Sequence, residues 1–198
     1  MSGQDRRNRL VSDLHTWSSP VVQADSKISS VFPSAEIVYL YNANQATANW
    51  QQVATSANMN TGVGYAVQSE GAEALQSTFS GPINQGAVTV TTYFNPNFGT
   101  DSSPWDTDEG DNLVGNPYAS AIDWDKVITD EDNSKVEGTV YIWNQQTSEV
   151  GYNNVSDYIQ YNLSGGVGDI PQNTASGKIA SGQGFFISAT EASTITFK

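Results

Sequence analysis

The chain lacks cysteine altogether and has one histidine, His15, among 198 residues. The first absence excludes disulfides, thiolate metal centres and a cysteine nucleophile. The second leaves one imidazole for any catalytic dyad or metal site. Positive charge is also scarce: 8 Lys and Arg stand against 21 Asp and Glu, for a formal charge of −13. Phosphate backbones and anionic bilayers would be repelled by that balance, so neither nucleic acid nor an inserted membrane is expected as a partner. A run of 18 or more apolar residues, the minimum for a spanning helix, does not occur. Residues 1–9 hold three of the eight basic residues and lead into no apolar signal segment. They read as a disordered or appended tail. Residues 10–198 read as a single module excised from a longer polypeptide.

What is present is apolar and aromatic enough for a core: 37% apolar residues and 11% aromatics. Alternation with a period of two dominates, which predicts strands at 37–41, 64–68, 74–79, 87–93, 139–143, 158–161, 184–188 and 194–197. These segments are rich in β-branched and aromatic residues and are separated by Asn, Gly, Ser and Pro. Helical turns fit only 25–32 and 123–127, with Asp25 and Asp123 as N-caps. The fold class is all-β.

The two halves echo each other. Trp17-Ser-Ser-Pro20, Ile37-Val-Tyr-Leu-Tyr-Asn42, Gly62-Val-Gly-Tyr65 and a segment ending at Phe79 occur in the first half. Val114-Gly-Asn-Pro117, Thr139-Val-Tyr-Ile-Trp-Asn144, Gly182-Gln-Gly-Phe185 and a segment ending at Phe197 follow in the same order in the second. The offset is 97 at the prolines, 102 at the asparagines and 120 at the glycine pairs. Insertions therefore fall in loops, where they cost least. The expected architecture is a jelly-roll-like β-sandwich built from two internally duplicated halves, about 10–95 and 110–198, each covering the apolar face of the other.

The segments Asn112-Leu-Val-Gly-Asn-Pro-Tyr-Ala-Ser-Ala-Ile-Asp-Trp-Asp125, Val140-Tyr-Ile-Trp-Asn144 and Gly177-Lys-Ile-Ala-Ser-Gly-Gln-Gly-Phe-Phe-Ile187 resemble a β-rich accessory module of bacterial surface proteins. That module sits near the C-terminus of proteins exported by the type IX (Por) secretion system, ahead of a sorting domain. The likeness extends from about Leu10 to Lys198, departs at Ala119 where the family usually has a second proline, and includes no sorting domain. It implies an extracellular or cell-surface location and neighbouring domains of a parent adhesin, protease or polysaccharide-degrading enzyme as partners.

Four features carry chemistry. Between Asp101 and Glu137, eleven carboxylates face only Lys126 and Lys135. Hard oxygen ligands at that density suit Ca²⁺, with Asp106, Asp108, Asp111, Asp123 and Asp125 as the ligand set. The EF-hand frame fails, because counting from Asp106 puts Asp111 where that loop needs glycine. The alternative is a solvated acidic loop. Asp123 and Asp125 could also serve glycoside hydrolysis if an opposing carboxylate faced them. Trp50 and Trp105 lie among Asn, Gln and Asp, the setting for stacking on a sugar face, while Trp124 fits a structural role and Trp17 and Trp143 a core role. Gly62-x-Gly64 and Gly182-x-Gly184 precede strands, so they read as tight turns and not phosphate cradles. The expected function is a non-catalytic accessory or adhesion module of a larger secreted bacterial protein. The alternatives are a carbohydrate-binding module and a hydrolase with paired carboxylates.

Overall fold

The computed structural model describes residues 14–45, 49–69, 75–96, 110–143, 158–167 and 176–198. The chain is all-β. In the first half, β1 (Leu14–Trp17) is followed by the one-turn helix α1 (Ile28–Val31), β2 (Ala35–Tyr41), β3 (Trp50–Gln52), β4 (Tyr65–Ser69) and β5 (Val88–Thr92). In the second, β6 (Asp111–Gly115), β7 (Ile122–Asp123), α2 (Trp124–Ile128), β8 (Val136–Trp143), β9 (Tyr158–Asn162), β10 (Gly165–Val167), β11 (Lys178–Ile179), β12 (Gly184–Ala189) and β13 (Ser193–Phe197) follow.

The two main sheets have the same plan. One runs β1-β4-β2-β3 and the other β6-β12-β8-β9, extended by β10. Their registers superimpose under the sequence offsets. Trp17 pairs with Tyr65 as Val114 pairs with Phe185, and Val38 pairs with Val67 as Val140 pairs with Ile187. Tyr41 lies opposite Trp50 as Trp143 lies opposite Tyr158. The second half thus repeats the strand order and pairing of the first.

Alternation sorts each strand into two faces. Val38, Tyr65 and Val67 turn toward α1 and pack with Ile28, Val31, Phe32 and Met59. Val140, Ile142, Phe185 and Ile187 turn toward α2 and pack with Trp124, Val127, Ile179, Ile195 and Phe197. Each half therefore has a core roofed by its own helix, which corrects the expectation that each half covers the other's apolar face. The opposite faces meet through a smaller aromatic contact, described below.

At the junction the backbones touch. Ser18 N–H donates to the Gly182 carbonyl at 2.7 Å, and the matching Gly115 N–H donates to the Gly62 carbonyl at 2.9 Å. The bridges Trp17–Gln183 and Val63–Val114 are mates in the same way. A Cβ at Gly64 would lie 2.6 Å from the Val114 carbonyl oxygen, and one at Gly184 would lie 3.0 Å from Trp17 N. Glycine is required at both places by close approach of backbone, as strand glycines often are.

Three local expectations are overturned. Residues 75–79 are not a strand: Thr78 N–H binds the carbonyl of Val31 on α1, and Phe79 packs on Trp17 and Phe32 at 6.5 and 5.9 Å. Phe197 sits equivalently, 6.4 Å from Phe185, but its strand has a ladder partner in β5. That pairing also moves the boundary between halves, since Val90 of β5 belongs to the second core. Asp25 is not an N-cap: it ends a 3₁₀ turn before Lys27, which occupies the N-cap position of α1; Asp123 does occupy the N-cap position of α2, with its carboxylate bound to Lys178 and no side-chain capping bond.

Gly64→Ala and Gly184→Ala are expected to destabilise the protein by roughly 2 kcal/mol or more, through forced backbone separation. Gly138→Ala, whose Cβ would meet nothing within 4 Å, should change stability by less than about 0.5 kcal/mol. Urea unfolding of the three variants measures this; a neutral Gly64→Ala would contradict the junction.

Candidate functional site

Two places gather polar and aromatic chemistry. The first is the edge where the two sheets meet. Tyr41 and Trp50 project from adjacent strands of one sheet, and Trp143 and Tyr158 from the equivalent strands of the other. Phe186, on β12, joins them: its ring centroid lies 5.2 Å from Tyr41, 6.0 Å from Trp50 and 6.2 Å from Tyr158, each near edge-to-face. Tyr41–Trp50 and Trp143–Tyr158 stand at 5.2 and 5.0 Å. Such tilted contacts suit the ring quadrupole. The Trp143 indole donates to the Leu14 carbonyl at 2.8 Å, fastening β8 to β1. Trp50 remains 44% exposed, against 9% for Phe186. The next outward pair along each ladder is Tyr39 with exposed Gln52, and Tyr141 with exposed Gln160.

The second place is an open groove of about 680 Å³ beside α2, bordered by Tyr118, Asp123, Lys126, Asp130 and Lys198. Asp123, Asp130 and Lys198 are engaged in ion pairs. Lys178 binds Asp123 at 2.6 Å and, with Lys126 nearby, holds its carboxyl below the usual carboxylate range. Lys198 reaches Asp130 and Asp132, both at 2.8 Å. It draws the Asp130 carboxyl down, helped by the Asp132 N–H, and its own ammonium is pushed up. The Tyr161 hydroxyl donates to Asp125 at 2.9 Å, and that hydrogen bond to the carboxylate raises the phenol.

Of the expected calcium ligands, Asp111 lies on β6, opposite Ser188, whereas Asp123 pairs with Lys178 on β11 and Asp125 opens α2. Among the described residues no three carboxylate or imidazole side chains come together as one metal would need. Asp106, Asp108 and Trp105 lie outside the described residues. Trp124 is fully buried and its indole donates to the Gly138 carbonyl at 2.9 Å, a structural role as expected. Trp17 is half-buried against the first core, whereas Trp143 is half-buried on the face turned away from the second, which corrects its expected core role. His15 is exposed. The residues that sequence reasoning missed are Tyr41, Tyr158, Phe186 and the two glutamines. The signal was present in the matching aromatic and amide positions of the two halves.

The chain is thus an all-β protein with two main sheets of matching strand order and an aromatic edge between them. It belongs to the family described as "Domain of unknown function (DUF8693)", which matches residues 4–198. No curated protein matches it, and no solved structure does.

The lysine pairs set a pH dependence. Because their folded pKa values are depressed, Asp123 and Asp130 contribute stability above the unfolded carboxylate value of about 3.9 and lose it as pH falls through the lower folded values. Carboxyl ¹³C NMR titration should show the Asp130 midpoint rising in Lys198→Met while Asp123 stays put, and the reverse in Lys178→Met.

Proposed function

We propose that the chain is a non-catalytic module of a larger exported bacterial surface protein and that it contacts polysaccharide through the aromatic edge at Trp50. The observation that carries this reading is the exposure of Trp50, an indole braced by Tyr41 and Phe186 and flanked by Gln51 and Gln52. A ring held in place on a rigid strand offers a flat apolar surface at little entropic cost, and neighbouring amides can read hydroxyl groups. Surface display and a neighbouring domain are implied by the resemblance of the 112–125, 140–144 and 177–187 segments to accessory modules of exported proteins.

The groove beside α2 supports the non-catalytic part. A glycosidase keeps one carboxyl protonated as acid and sets a second across the bond. Here Asp123 and Asp130 are paired with lysines that favour the charged form, and Asp125 accepts from Tyr161. The lysine pairing opposes proton retention at Asp123 and Asp130.

Affinity electrophoresis through gels containing soluble polysaccharides tests the reading. The native chain should be retarded by at least one, and Trp50→Ala should migrate as in the empty gel with an unchanged far-UV circular dichroism spectrum. Equal retardation of both proteins would remove Trp50 from the site, and no retardation in any gel would remove the binding function.

A further inference from the structure

We infer that the aromatic edge is a double site: each half supplies one equivalent subsite, and together they bind one extended, uncharged glycan chain. The inference rests on the polysaccharide reading above and specifies its ligand and its stoichiometry.

The argument starts from the register. In the first half the outer ladder presents Tyr41 opposite Trp50 and then Tyr39 opposite Gln52. In the second it presents Trp143 opposite Tyr158 and then Tyr141 opposite Gln160. Two aromatics followed by a tyrosine and a glutamine thus recur at matched positions on the face turned away from the cores. Packing alone gives no reason for the glutamines, since Gln52 and Gln160 are both exposed. The core-facing positions of the same strands are apolar in both halves, Val38 and Leu40 in one and Val140 and Ile142 in the other, so the amides belong to the outer face alone. An aromatic face beside a primary amide is the combination that stacks on a pyranose ring and hydrogen-bonds its hydroxyls.

The two sets are physically continuous. Phe186 bridges them, 6.0 Å from Trp50 and 6.2 Å from Tyr158. A chain of sugars laid along this edge would meet one half and then the other. The second contact would then be intramolecular, with the high effective concentration that this brings. Charge selects the ligand. The repeated positions are all uncharged, on a protein of net charge −13, so uronate-bearing or sulfated glycans would be repelled.

The experiment uses the full chain, with neutral glucan, mannan and xylan, their oligosaccharides of two to six units, and alginate as the acidic counterpart. Binding is read by isothermal titration calorimetry. For whichever neutral polymer is bound, affinity should rise at least tenfold from the disaccharide to the hexasaccharide, at one chain per protein. Gln52→Ala and Gln160→Ala remove exposed amides that the folded core does not use, so both should fold. Each should weaken hexasaccharide binding severalfold, while Tyr158→Ala should match Trp50→Ala in its loss. Equal affinity for short and long chains, sensitivity in one half only, or preference for alginate would overturn the double neutral site while leaving polysaccharide binding intact. A native chain that binds none of the polymers would instead overturn the underlying reading.

Discussion

The rest of the structure depends on a contact between backbones: the close approach at Gly62–Gly64 and Gly182–Gly184, where each repeat runs into the start of the other. Three backbone hydrogen bonds form there, two of them mates under the sequence offsets; the Thr16 hydroxyl adds one to the Gly184 carbonyl, and glycine leaves the space they need. Hydrogen bonds between backbones carry no side-chain chemistry, so the junction tolerates drift elsewhere in both halves. It fixes where the two sheets stand, and hence which side chains can meet at their open edge.

Away from that junction the halves differ in what they bury. The first core uses Met59, Phe32 and Tyr65, whose hydroxyl accepts from the Asn60 N–H; burial raises that phenol's pKa. The second is larger and centres on Trp124, with an indole satisfied by Gly138. Buried polar side chains do the remaining joining in the second half. Asn116 binds the carbonyls of Ser120, Ile179 and Ala180, and Asn133 ties α2 to β13. A buried amide with every group satisfied specifies one arrangement of loops where apolar packing would accept several.

Much of this was legible in the sequence because alternation and repetition are both local signals. The all-β class, seven of the eight expected strands and the equivalence of Tyr41 with Trp143 follow from them. The segment before Phe79 was misread because a strand needs a ladder partner, and period-two composition does not reveal that only the second half has one. Short strands such as Leu14–Trp17 and Asp111–Gly115 were hidden for the opposite reason, since pairing creates them despite weak patterns. The aromatic edge was half legible: exposure of Trp50 could be guessed from its polar neighbours, but its bracing by Phe186 comes from another strand 136 residues away. The ion pairs of the charged groove were not legible, because the lysines that bind Asp123 and Asp130 are 55 and 68 residues away in sequence.

The placement of β5 has a consequence for how such a chain can be divided. Although it precedes the acidic segment, this strand lends Val88 and Val90 to the later core and zips along β13 from Ser193 to Phe197. The chain therefore passes from the first core to the second ahead of Val88, after Ile83 and Asn84 have bonded back to Val21 and Pro20, and not in the acidic stretch that follows β5. A gene-fission event, or an engineer seeking two self-sufficient fragments, would have to cut between Asn84 and Val88 and leave β5 joined to the acidic stretch.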